Sequence, residues 1–470
     1  MSELNELSLV EAADAVRAGR VSSVELTEAC IARIEAVQPT INAFISFEPE
    51  AALAEARQRD SEAASGNYRG SLHGVPMAHK DLLYRDGKVV TCGSKVLGDF
   101  VADTTATVLV RLEAAGAINL GTLGMAELAL GASGRNEHFG HCRNPWNPDH
   151  ITGGSSSGSG ALVAARGAFA AIGTDTGGSV RLPSAICGIT GLKPTQTRVS
   201  RHGIMPLSYS LDNAGPMART AADCARMMDV IAGYDDNDPT SSTEPVADYE
   251  YGLENAEIKG IRIGVPTSHY YDHATDDVKA ALSESLDVLK GLGAEIIEVD
   301  MPDHTIYRDL LGVILRGEAG SIHARWFAER PEDYSTEVRA RIEAGLYLPA
   351  VRYVEAQRLR PVLLKEFLDT VMDKIDVLHA PVMASAVPTL EETDSGVSDD
   401  ALLVNEQLAY CTRAASFLGL PSLSVPCGFA DRGLPVAFQL MGRGFQEATL
   451  LKIGHAYQGA TDWHTRMPAL

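Results

Sequence analysis

The sequence is poor in positive charge and in aromatic rings. Of 470 residues, 40 are Lys or Arg against 62 Asp or Glu, a formal net charge of −22, and aromatics make up 6%. A surface with that balance repels phosphate backbones and anionic lipid, so neither nucleic acid nor a membrane surface is an expected partner. No apolar run approaches the ~20 residues a membrane helix needs. The first twenty residues, MSELNELSLVEAADAVRAGR, form an acidic amphipathic pattern with no apolar signal core. Seven cysteines are scattered at positions 30, 92, 142, 187, 224, 411 and 427, with no CxxC pair and no Cys/His cluster at zinc spacing. Reduced thiols in a cytoplasmic protein, with no metal site, are the expectation.

What the chain does have is apolar material for a large core, 45% of its residues. Residues 116–122, 167–175, 260–266, 294–300, 376–381 and 435–442 are short apolar runs with the character of buried strands. Residues 276–293 and 447–458 carry the 3.6-residue period of helices, as do the first sixty-odd residues, with Ser8 and Ser22 or Ser23 as N-caps. This alternation predicts an α/β protein with a mixed sheet flanked by helices. No internal repeat is present, and the polar, acidic stretches 234–252 and 389–400 read as surface loops. A single large domain over 1–470 is expected. It divides into a helical region at 1–65, a core at 66–230, variable helices and loops shaping a pocket at 231–400, and a C-terminal sheet and helix at 401–470.

The run TGGSSSGSG at 152–160 has the composition of a flexible tether. Its flanks argue otherwise. ALVAARGAFAAIG follows at once, built of small apolar residues that suit a tightly packed interior. Residues 152–166 hold no lysine, which excludes a P-loop. Gly154 to Gly158 matches the G-x-S-x-G pattern of a nucleophile elbow, but that turn must follow a strand, and the preceding RNPWNPDHIT contains two prolines. A second glycine-rich stretch, GTDTGGSVRLPSAICGITGLKPT at 173–195, follows an expected strand. Its Thr176-Gly177-Gly178-Ser179 segment offers consecutive backbone N–H groups ending at a serine, the makings of an oxyanion hole.

Taken together, Gly153 to Ser184 resembles the signature of the amidase signature family of serine hydrolases. Three further segments are similar to that family: GSLHGVPMAHKDL at 70–82, YSLDNAGPMART at 209–220, and the chain from Gly419 to Gly442. The resemblance implies the family's fold and a Ser–Ser–Lys triad without metal or organic cofactor. Ser179 would be the acyl-forming nucleophile, Ser155 the bridging serine on a cis peptide, and Lys80 the base. Thr176, Gly177, Gly178 and Ala129 would surround the oxyanion and substrate, and Asp175 and Arg181 would brace the nucleophile loop. A serine needs a base in the transition state, and a lysine can serve only when burial lowers its pKa enough to leave it neutral. Asp81, beside Lys80, would oppose that shift.

Other polar residues near these segments have plainer readings. His73 and His79 with Asp81 or Asp86 could be combined into a triad, but the motif already supplies its base. Cys92, Cys142 and Cys187 carry no mark of an activated thiol. Glu127, in GMAELALG, suits either a helix start or the acyl side of the pocket. Within the resemblance, two activities compete. The glutaminase member of a tRNA-dependent amidotransferase, its A component, holds glutamine by an acid and an arginine. Arg341 fits the arginine, but Ala409 stands where the acid is expected and Ser416 where an asparagine is. These departures favour a stand-alone hydrolase of a small, largely apolar amide, anilide or carbamate, with a small molecule as its partner and a homodimer as an allowed assembly. The amidotransferase component is the alternative, and a non-catalytic binding protein on the same fold a remoter one.

Overall fold

Ser8 and Ser22 open the first two helices, Leu9–Arg17 and Ser23–Ile41, each through a reciprocal cap. The serine side chain accepts from the backbone of Glu11 or Glu25, and that glutamate accepts from the serine's own N–H. The computed structural model describes residues 4–470. Eleven strands form one sheet: β1 (Phe44–Phe47), β2 (Pro76–Lys80), β3 (Ile118–Leu123), β4 (Ala170–Asp175), β5 (Thr190–Lys193), β6 (Asn213–Ala218), β7 (Arg262–Pro266), β8 (Glu295–Val299), β9 (Val377–Pro381), β10 (Ser422–Phe429) and β11 (Pro435–Met441). Their order is β1-β3-β2-β4-β6-β5-β10-β11-β9-β7-β8. The β3-β2-β4 and β9-β7-β8 groups are parallel, and every other pairing is antiparallel. The chain is a single α/β domain with a mixed sheet, as its alternating pattern implies. Among the described residues no helix is long and apolar enough to cross a membrane.

The six expected strands correspond to β3, β4, β7, β8, β9 and β11. The strands that composition does not announce are the short central ones. In β6, the sequence NAGPMA lies fully buried between β4 and β5, with Pro216 opposite Ile172. Gly215 is required there, because a Cβ would stand 2.1 Å from the Leu192 carbonyl oxygen.

Strand order fixes where the chemistry can sit. β2 and β4 are adjacent and parallel, with Ala78 opposite Ala171. Lys80 ends one and Asp175 ends the other, so both arrive at the same edge of the sheet. The carboxyl ends of parallel strands form the crevice where open α/β sheets bind ligands. The Gly/Ser run fills this edge. Residues Ser157–Ala164 form a helix whose eight residues are all buried, so it is no tether. Gly158 packs there on backbone: a Cβ would lie 2.4 Å from the Ala43 oxygen and 2.7 Å from the Gly124 nitrogen.

Gly158→Ala is therefore expected to cost about 1–3 kcal/mol, the usual range for overpacking. Gly252→Ala, where a Cβ would meet nothing within 4 Å, should change stability by less than about 0.5 kcal/mol. Urea unfolding of the two variants distinguishes them, and equal midpoints would count against the close packing of this helix.

Candidate active site

At the end of β2, Lys80 is fully buried. Its Nζ donates to Ser155 Oγ at 2.7 Å and to Thr174 Oγ1 at 2.9 Å. Burial pulls the Lys80 pKa down to about 7, against the charges of Asp212 and Asp175, which push it up. Those two carboxylates, not Asp81, supply the main opposition. Asp81 accepts from Thr91 Oγ1 at 2.5 Å and from the Thr91 amide at 3.1 Å, and burial raises its own pKa to about 6.

Ser155 follows a cis peptide from Gly154. Gly154 must be glycine because a Cβ would stand 2.3 Å from the Gly131 oxygen. The neighbouring serines serve the scaffold. Ser156 Oγ accepts from the Thr174 amide, Ser157 Oγ donates to the Gly124 carbonyl, and Ser159 Oγ is buried without a partner among the described residues.

Ser179 is half-buried and borders a cavity of about 610 Å³, together with Thr176, Gly177, Gly178 and Ala129. Its hydroxyl makes no hydrogen bond among the described residues, while Lys80 and Ser155 are joined directly and Ser179 borders the cavity. The backbone amides of Gly177, Gly178 and Ser179 donate no hydrogen bond within the described chain, in contrast to those of Val180 and Leu182. Unspent donors lining a cavity suit an oxyanion. Thr412 Oγ1 ties this loop down at the Gly177 carbonyl, 2.6 Å away. The approach needs glycine at 178, where φ is +141° and a Cβ would lie 2.3 Å from that hydroxyl. Thr176 Oγ1 donates to Asp212 Oδ1 at 2.6 Å.

Behind the loop, Asp175 and Arg181 form a fully buried fork of two bonds, 3.0 and 3.1 Å. Arg181 also donates to Gln439 on β11 and to Ser416, and Ser416 donates to Asp175. Burial works to raise the Asp175 pKa, but Arg181, then Lys193 and the Val180 amide, outweigh it and hold the carboxyl below its usual range. Ser416 is thus part of the brace and not of the cavity wall, so its identity says nothing about the substrate. Thr174, Asp212, Thr412 and Gln439 are site residues that motif reasoning passed over. Asp212 opens the Asp-x-x-Gly-Pro segment and was the one with a readable signal. Lys193 is a second buried lysine, drawn to about 7 by burial, but its Nζ donates to the Pro194 carbonyl rather than to a serine.

The remaining candidates fall outside the site. His73 is held by Arg59 and Arg69 backbone groups, His79 accepts from the Ile172 amide, and Asp86 is exposed. The thiols of Cys92, Cys142 and Cys187 are buried and pushed up by burial. Glu127 does not line the cavity. It accepts from Ser94 Oγ and from the Ser335 amide, which begins the helix Thr336–Leu346 that carries Arg341.

The same cavity is also bordered by Arg308, Arg316, Arg341 and Arg413, with Asp309 and Glu406. Arg341 Nη1 donates to the Leu130 carbonyl at 2.7 Å. Ala409 borders it too, and Glu406 lies three residues before it at the same wall. This border is charged, where the sequence led us to expect an apolar pocket.

The family model "Amidase" matches residues 25–451. A protein of Roseiflexus sp. (strain RS-1), named as the A component of glutamyl-tRNA(Gln) amidotransferase, is 42% identical over 494 residues, covering 100% of this chain and 99% of that protein. The crystal structure of the component of that name from Thermotoga maritima is 30% identical with a TM-score of 0.79, covering 96% and 94% of the two chains. Native peptide amidase from Stenotrophomonas maltophilia is 31% identical with a TM-score of 0.84 and 98% coverage of each chain. The full-length likeness to amidotransferase components overturns two expectations. A stand-alone hydrolase of a small apolar amide does not stand, nor does a chain whose only partner is a small molecule and which has no connection to nucleic acid. The expectation failed because it weighed single positions, Ala409 and Ser416, whose roles depend on helices that the motifs do not place.

Arg181→Met strands a buried carboxylate and is expected to cost about 3–5 kcal/mol. Adding Asp175→Leu should return much of that loss. Denaturant midpoints test both, and a midpoint for the single variant within error of the parent would show that the fork does not hold the loop.

Proposed function

The chain belongs to the amidase family, and on that footing we propose that it is the glutamine-hydrolysing A component of a glutamyl-tRNA(Gln) amidotransferase, working in the cytoplasm. The observation that carries this reading is the 42% identity with such a protein from end to end of both chains. The four arginines bordering the cavity support it, since an amino acid with a free carboxylate needs cations there.

In this reading the glutamine side-chain amide lies against Ser179. Lys80, half neutral at about pH 7 and increasingly so above it, takes a proton by way of Ser155 as Ser179 Oγ attacks the amide carbon. The relay is completed by a hydrogen bond from Ser179 Oγ to Ser155 Oγ in the substrate complex. The developing oxyanion is met by the amides of Gly177 to Ser179, which need not abandon other bonds to do so. The C–N bond breaks, the proton returns to the leaving nitrogen, and ammonia departs. Water then attacks the acyl ester by the same route to give glutamate and free Ser179. The Asp175–Arg181 fork holds the loop throughout without touching substrate. With a net charge of −22, this chain leaves the phosphate contacts with the tRNA to the other chains of the assembly.

Ammonia release from glutamine should rise with pH through about 7 and level off above, because the protonated Lys80 amine cannot accept. Lys80→Ala should lower kcat by about 10²–10⁴-fold with the fold intact and remove the acidic limb. Ser179→Ala should abolish both turnover and labelling by a fluorophosphonate probe. A Lys80→Ala enzyme within tenfold of the parent (about 1.4 kcal/mol in barrier) would exclude Lys80 as base. A parent enzyme that releases no ammonia from glutamine, alone or with its partner chains, would exclude the glutaminase.

A further inference from the structure

Four guanidinium groups and two carboxylates border the same cavity as Ser179, and they are not balanced. Asp309 already accepts from Arg308 Nε at 2.7 Å. That leaves Glu406 as the one acid there without a close partner of its own among the described residues, and it is exposed on the helix Ala401–Leu408. Its charge acts on both Arg413 and Arg308, so it is shared between two cations. One turn further along the same wall stands Ala409, buried and without a polar atom in its side chain. Arg316, by contrast, is exposed at the cavity and makes no side-chain hydrogen bond among the described residues. Arg341 spends Nη1 on the Leu130 carbonyl and has the Glu337 carboxylate 3.8 Å from Nη2.

A carboxylate entering the cavity meets the unspent donors of Arg316 in the field of the other three guanidinium groups, the strong charge-assisted case. An ammonium group entering the same cavity meets four like charges, and the two bordering acids are already engaged, Asp309 by Arg308 and Glu406 by Arg308 and Arg413. Like charges so placed work against it.

We propose that the cavity selects its substrate by a carboxylate and not by an ammonium group, so that it hydrolyses the ω-carboxamides of short carboxylic acids as a class. Glutamine is one member, and the monoamides of five-carbon and four-carbon dicarboxylic acids are others. The inference rests on the amide-hydrolysing reading above and widens its substrate class. The reaction balances as a hydrolysis. Ser179 Oγ forms an ester with the amide carbon, the C–N bond breaks, and the nitrogen leaves as ammonia with the serine's proton. Water then cleaves the ester, giving the dicarboxylate and the free serine.

The test is ammonia release by the full chain from three substrates of matched length: glutamine, pentanedioic acid monoamide, which lacks the ammonium, and pentanamide, which lacks both charges. The monoamide should show kcat/KM within about fivefold of glutamine, while pentanamide falls by at least about tenfold, the cost of losing a hydrogen-bonded charge. Arg316→Gln, at an exposed unbonded side chain that folding does not need, should raise KM for glutamine and the monoamide alike and leave pentanamide unchanged. A monoamide poorer than glutamine by about thirtyfold or more would overturn the inference and leave the glutaminase standing. Equal rates for pentanamide and the monoamide would overturn it as well. Turnover of the monoamide without turnover of glutamine would uphold selection by carboxylate, strike glutamine from the class and overturn the glutaminase. No ammonia from any of the three would overturn both.

Discussion

The site depends on one buried ion pair. Asp175 is the last residue of β4 and Arg181 the first of the helix Arg181–Cys187, so their fork spans the loop that carries Ser179. Burying two charges costs several kcal/mol for each ion before their attraction repays it, and repayment requires that the remaining lone pairs and protons be satisfied. Here they are. Gln439 and Ser416 take the free guanidinium donors, and Ser416 and the Val180 amide serve the carboxylate. Gln439 in turn donates to the Pro381 and Cys411 carbonyls. The five-residue loop Thr176 to Val180 is thereby fixed to β11, β9 and the segment that precedes Thr412. Only such bracing lets the amides of 177–179 stay unspent at a cavity wall, where an unbraced loop would turn them onto neighbouring carbonyls.

The same network shapes the electrostatics of Lys80. Asp175 and Asp212 both favour its charged form, yet burial prevails and brings the amine to about 7. The carboxylates are weak opponents because each is already committed, Asp175 to Arg181 and Asp212 to Thr176 and the Leu207 and Ser208 amides. The linkage sign follows. An amine with a folded pKa near 7 and an unfolded value near 10.5 costs the fold stability as pH falls from the higher value to the lower. The cost is complete below about 7. The fold keeps a buried amine near its neutral form at the expense of its own stability near neutrality.

Much of this was readable from residues. The alternation of apolar runs and helical periods disclosed the α/β class and six strands, and the capping serines marked the helix starts. The two glycine-rich stretches, through their resemblance, pointed to the edge where Lys80, Ser155 and Asp175 meet. What escaped were elements whose residues are chosen by close contact and not by hydrophobic period. NAGPMA is a central strand because Gly215 lets the Leu192 carbonyl approach, and nothing in its composition says so. Ser416 was misread for a related reason. Its place beside Arg181 is set by a helix that packs from 235 residues away in sequence, and a motif offset cannot tell a brace from a pocket wall.

The charged border of the cavity shows the same limit in its sharpest form. Its arginines come from three separate elements: the helix His304–Glu329, the helix Thr336–Leu346, and Arg413 at the start of the short helix Arg413–Leu418. No local window contains more than two of them, so no local pattern marks them as a group. Gathering four guanidinium groups costs mutual repulsion, and burial adds to it by drawing Arg341 and Arg413 below the ordinary arginine range. A chain with 62 acidic residues could have placed more carboxylates there to cancel that repulsion, and it places two at the cavity border and Glu337 3.8 Å from Arg341. Low-dielectric walls focus such a field into the cavity, while the acidic exterior turns non-specific anions away from the rest of the surface. The sign of the net charge therefore describes what the outside repels. The sign of the cavity, opposite to it, describes what the inside is built to hold.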